Sequence, residues 1–148
     1  MKKRTITIII SAILAIVLSV LVIVIIKDAV RKHKIAENLS GNTYTYVDTY
    51  TSSEFGQAHL HMECYRFEYD GSVTDYSLYK TMYDKTIHPY REDEQNEYTH
   101  SRSYSIKLKG EKVYIIIGGV KYNAEMTGDT VVALTYGPLR YSKSIGTF

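Results

Sequence analysis

A chain of 148 residues with formal net charge +2, one cysteine and no tryptophan has room for one small core and no internal disulfide. The charge is unevenly divided: seven Lys/Arg against one Asp leave +6 up to Lys34, and eleven against fifteen acidic residues leave −4 after it. Basic charge therefore flanks one segment instead of covering a domain, which argues against nucleic acid as a partner.

Residues 5–26 read TITIIISAILAIVLSVLVIVII, without a charge, a proline or a glycine. At about 1.5 Å of rise per residue, one helix of this length crosses a hydrocarbon core of about 30 Å. Cleavable secretory signals have apolar regions of about 7–15 residues and a small-x-small site. This run is longer and ends in Ile26-Lys27-Asp28 with no Ala-x-Ala pattern. The expectation is a signal anchor in the cell membrane. Residues 1–4 would lie in the cytoplasm, 5–26 would make a single pass, and 41–148 would form an extracytoplasmic β domain.

Both flanks of the run are basic, with Lys2, Lys3 and Arg4 before it and Lys27, Arg31, Lys32 and Lys34 after it. The positive-inside rule nearly ties, so direction rests on the tendency of long segments to be exported regardless of charge. Lys27, Arg31, Lys32 and Lys34 are candidate membrane-surface residues, with membrane lipids as partner, at about 1 kcal/mol per charge near an anionic surface. Residues 27–40 read as a basic juxtamembrane stalk, helical up to a stop at Leu39-Ser40-Gly41-Asn42.

Then the period changes. Residues 43–50 alternate tyrosines with threonine and valine, a strand pattern. Residues 59–69 form a second strand in which the large residues change parity near Cys64-Tyr65, predicting a β-bulge there. Asp70-Gly71 signals a hairpin into a strand over 73–79. Residues 84–97 hold Pro89, Glu92, Asp93, Glu94 and Glu97, and read as an acidic loop. Alternation returns over 98–108, followed by an apolar strand at 113–117. Gly118-Gly119 and Thr127-Gly128-Asp129 punctuate strands at 120–126 and 130–136, and Gly137-Pro138 precedes a short edge strand at 139–142. The fold class is mainly β. One N-terminal transmembrane helix leads to a seven- or eight-stranded antiparallel meander closing as a small barrel, with a β-sandwich as alternative.

Leu39-Ser40-Gly41-Asn42-Thr43-Tyr44 opens the first strand, and Phe67-Glu68-Tyr69-Asp70-Gly71-Ser72-Val73 forms an early hairpin. In these segments and in layout over 39–142 the chain resembles a small membrane-anchored bacterial lipocalin-like (calycin) domain. That family often opens on a Gly-x-aromatic signature, usually tryptophan. Here the aromatic is a tyrosine one place later. The resemblance implies a barrel.

Chemistry-bearing motifs are few. His59, His61 and Glu63 share one strand face at about 7 Å spacing and could serve a divalent metal, given a fourth ligand such as His88 or His100. There is no Gly-x-Ser-x-Gly, phosphate loop or Cys-x-x-Cys, and Cys64 reads as a small buried hydrophobe. An enzyme is not expected, and no cofactor is implied. All fifteen tyrosines fall between Tyr44 and Tyr141, while only three phenylalanines are present, so tyrosine must supply much of the core. Tyr44, Tyr46, Tyr104 and Tyr122 are the candidate ligand-binding residues. The functional expectation is an extracytoplasmic binding domain for a small apolar or amphipathic ligand held in the barrel. Alternatives are an envelope protein interaction module without a cavity, and a metal-binding protein or metal-assisted enzyme built on His59 and His61.

Overall fold

The computed structural model describes the backbone of residues 2–52, 57–82 and 92–144, and within these the side chains of 6–48, 60–77 and 99–144. A single uninterrupted helix, α1 (Lys2–Leu39), opens the chain. Its stretch Ile6–Leu39 is long and apolar enough to cross a membrane, with a mean hydropathy of 3.4 in its most apolar window. Among the described residues, none of that window is buried inside the protein.

The helix stops where Gly41 turns the chain. Ser40 N donates to Ala36 O at 3.0 Å, Asn42 N donates to Leu39 O at 3.0 Å, and Gly41 takes φ 76°. A Cβ at this position would collide with the Tyr69 ring, so both backbone and space call for glycine. Gly41 N then donates to Phe67 O at 2.7 Å, tying the helix end to the sheet.

Eight strands follow: β1 (Thr43–Ser52), β2 (Gln57–Phe67), β3 (Ser72–Met82), β4 (Glu92–Lys109), β5 (Lys112–Ile117), β6 (Val120–Thr127), β7 (Thr130–Tyr136) and β8 (Leu139–Lys143). Each pairs antiparallel with the next, and β8 returns to β1 through Tyr44↔Lys143 and Thr45↔Ser142. The meander is a closed barrel, not a sandwich. Closure satisfies edge groups that an open sheet would leave unpaired.

Two local expectations are corrected. The β1–β2 and β2–β3 registers run without interruption past Cys64 and Tyr65, so no bulge lies there. Glu63, Tyr65 and Phe67 face inward, while Met62 and Cys64 are buried on the opposite face. Large residues on both faces, not a kink, produced the parity change. The register shifts lie instead at Ser77/Leu78 between β3 and β4 and at Glu125/Met126 between β6 and β7. The acidic run is also not all loop. Residues 92–97 belong to β4, with Glu92 opposite Met82 and Glu94 opposite Lys80. A waiting β3 ladder overrides the low strand preference of acidic residues. The rest of that predicted loop, 84–91, lies outside the described residues.

The core sits at the end of the barrel where the helix enters. Ile35 and Leu39, one helical turn apart, are fully buried with Tyr44, Phe67, Val73, Val113, Ile115, Val131 and Leu134. Each such aliphatic side chain contributes roughly 1.5–3 kcal/mol through removal from water. The last turn of α1 thus plugs the barrel.

Candidate functional site

Three layers fill the barrel from the helix end outward. The floor is the apolar core. Tyr44 belongs to it: its ring lies edge-on to Phe67 at 5.5 Å between centroids, and its hydroxyl donates to Val131 O at 2.9 Å. Tyr104 also packs on Phe67, at 5.0 Å and edge-on. Both tyrosines serve the floor with their rings.

The middle layer is aromatic and draws on four strands, through Tyr46 of β1, Tyr65 of β2, Tyr122 of β6 and Tyr141 of β8. Tyr65 lies 5.5 Å from Tyr122 and 5.0 Å from Tyr141, and Tyr46 lies 5.7 Å from Tyr141. These separations suit tilted and edge-to-face attraction between rings. The Tyr65 and Tyr122 hydroxyls share a hydrogen bond of 2.8 Å, and Tyr141 donates to Glu63 Oε2 at 2.8 Å. Burial pushes the Tyr65 phenol up to about 12. Burial first, and then the bonds to Tyr65 and Glu63, raise Tyr122 and Tyr141 further. These phenols stay protonated at neutral pH, where they act as hydrogen-bonding groups and not as bases.

The third layer is charged. Arg102 Nε lies 2.8 Å from Asp75 Oδ2, and His100 Nδ1 lies 3.9 Å from Asp75 Oδ1. The Asp75 side chain is 6% exposed, against 43% for Arg102 and 60% for His100. Among the described residues, buried Asp75 Oδ1 accepts no hydrogen bond. An orphaned acceptor of this kind carries a cost of about 1–3 kcal/mol that a donor from outside would relieve. Arg102 and His100 lie on β4 beyond its described register with β5, which starts at Tyr104↔Ile117 and is followed by Gly118 N donating to Ser103 O at 3.3 Å. The Gly118 backbone closes against Arg102, whose Cδ would lie 2.9 Å from a Cβ there.

His61 and Glu63 both point inward, but each is engaged. His61 Nε2 lies 2.7 Å from Ser77 Oγ, and Glu63 accepts from Tyr141. The His59 side chain lies outside the described residues, as does His88. Among the described residues no three His, Cys, Asp or Glu side chains are grouped to hold a metal ion. Cys64, on the outer face, lies 3.5 Å from Thr45 Oγ1, and burial raises its thiol pKa.

The basic residues after the apolar run divide between two tasks. Arg31 donates from both terminal nitrogens to Gly110 O and Glu111 O, each at 3.2 Å. Lys34 Nζ lies 3.9 Å from Asp129 Oδ2, and Asn38 Nδ2 donates to Asp129 O at 3.3 Å. The helix is therefore strapped to the β4–β5 and β6–β7 turns. Lys32 lies on another side, lining a groove with His33, Ala36, Gly71 and Tyr104.

Sequence reasoning pointed to Tyr46 and Tyr122 and missed Tyr65, Tyr141, Asp75 and Arg102. Parity gave a signal for Asp75 and Tyr65, two positions along their strands from inward Val73 and Phe67. Nothing local marks Tyr141, which meets Tyr46 only through closure of β8 onto β1. No family model matches the chain, and no curated protein or solved structure matches it.

Proposed function

We propose that this chain is a membrane-tethered, extracytoplasmic binding domain of lipocalin-like layout, taking a small amphipathic molecule at the mouth of its barrel. The observation that carries this reading is the buried Oδ1 of Asp75, which accepts no hydrogen bond among the described residues and belongs to a side chain directly across the β2–β3 register from Tyr65. The rings of Tyr46, Tyr65, Tyr122 and Tyr141 pack on one another, so the ligand rests on their layer instead of entering the floor. An aromatic or alkyl body lies against that layer, and a donor at the polar end reaches Asp75. Protonated phenols and an ion-paired carboxylate favour binding over catalysis.

The test is titration of the full chain in nanodiscs with naphthylmethylamine and, for comparison, naphthylacetate, followed by ring resonances of Tyr65, Tyr122 and Tyr141. The amine is expected to shift those resonances, with Asp75→Asn weakening it about tenfold, the loss of one charge-assisted hydrogen bond. Ring resonances that neither probe moves would contradict the reading.

One observation favours a second reading, a protein interaction module. Among the described residues the register of β1 with β8 covers Tyr44 and Thr45, with Ser144 N also donating to Thr43 O, and that of β4 with β5 begins at Tyr104, with Gly118 N donating to Ser103 O. Strands β1 and β4 thus outrun the described ladders of β8 and β5, and such overhangs suit strand addition by a partner protein. Protection of β1 or β4 amides by a captured envelope protein, with the tyrosine rings unmoved, would favour that reading.

A further inference from the structure

A groove of about 320 Å³ runs between α1 and the β6–β7 turn, lined by Ile26, Lys27, Val30, Arg31, Lys34 and Asp129. Lys27, Arg31 and Lys34 follow the spacing i, i+4, i+7 and so share one helix face. Ile26 and Val30 lie on the adjoining strip and are 56% and 51% exposed. The groove therefore has an apolar lower wall and a cationic upper wall.

Its height along the helix is informative. Ile26 is the last residue of the uncharged run, and Lys34 lies eight residues above it, about 12 Å at 1.5 Å per residue. The polar layer on each side of a bilayer is roughly 5–8 Å deep. If α1 spans a membrane, the lower part of the groove falls within that layer.

The charges do not cancel. Among the described residues Asp129 is the one acid in the lining, and it faces Lys34 at 3.9 Å. Asp28 follows Lys27 but lies outside the lining. Arg31 spends two donors on backbone carbonyls, which fix its guanidinium without neutralising it. A preset cation between Lys27 and Lys34, above exposed aliphatic side chains, complements an anionic head joined to an acyl chain.

We propose that this groove is a specific site for one anionic phospholipid. Its phosphate lies among Lys27, Arg31 and Lys34, and its first acyl carbons lie along Ile26 and Val30. Lys32 takes no part, because it lines the other groove. The proposal rests on reading α1 as a membrane anchor.

The test uses the full chain in phosphatidylcholine vesicles carrying a minor fraction of phosphatidylglycerol. Carbonate extraction comes first, then detergent release and native mass spectrometry of retained lipid. Wild type is expected to remain in the vesicles and to retain phosphatidylglycerol above its share. Lys27→Gln and Lys34→Gln should each reduce that enrichment about fivefold, and Lys32→Gln should leave it unchanged. Extraction by carbonate would overturn the anchor and the site together. Membrane retention without lipid enrichment would overturn the site alone, as would an equal loss in Lys32→Gln. Displacement of the lipid by inorganic phosphate would show an anion site indifferent to the chain, and would also overturn the proposal.

Discussion

The two ends of the barrel interior use the same inward strand positions for opposite purposes. At the helix end, Val73, Val113, Ile115, Val131 and Leu134 meet Ile35 and Leu39 of α1, and no water-exposed polar group is needed. Toward the far end, Asp75 lies two residues along β3 from Val73, and Glu63 and Arg102 come from the neighbouring strands β2 and β4. Between them the tyrosines present a ring to one side and a hydroxyl to the other. Period-two alternation sets which residues face inward; the identity of each then decides whether a layer seals or binds.

Breaking the floor gives the largest effect. Leu39→Ala removes a fully buried side chain from the plug and should cost about 2–5 kcal/mol, as cavity-forming substitutions do. Chemical denaturation of the full chain in micelles, followed by tyrosine circular dichroism, checks this. A loss below roughly 0.5 kcal/mol, the range of surface substitutions, would mean the helix end is not part of the core.

Alkaline titration sharpens the contrast with a smaller effect. The folded Tyr65 pKa, about 12, lies above the ordinary value of 10.0, so its contribution is fully present below pH 10 and lost as pH rises through about 12. Tyr44, Tyr122 and Tyr141 shift in the same direction, mainly through burial. Tyrosinate absorbance should therefore still be rising near pH 12, with loss of structure as the buried set ionises. A single step near 10 would remove the middle layer as described.

Much of the fold was legible in the sequence because alternation and turn glycines are local signals. The strands after Lys109 follow their turns closely; the one at Thr130–Tyr136 matches the residues predicted for it. Non-local features were less accessible. Ile35 and Leu39 have i, i+4 spacing, yet a short apolar stripe after a long apolar helix does not reveal that a barrel will close around it. The acidic residues 92–97 read as loop until β3 supplied a pairing partner. In the candidate site, the density of tyrosine was plain, but its contacts were not. Which rings meet depends on closure of β8 onto β1, a pairing of residues about a hundred positions apart.

The two ends of the barrel interior can be compared in one measurement. A neutral, soluble paramagnetic agent added to the full chain in nanodiscs relaxes side-chain protons according to their access to water. Strong relaxation is expected for His100, Arg102 and Tyr136, weaker relaxation for Tyr122 and Tyr141, and none for Tyr44, Phe67, Ile35 and Leu39. Relaxation of Ile35 and Leu39 as strong as that of Arg102 would show the helix end to be open, and the graded interior would be wrong.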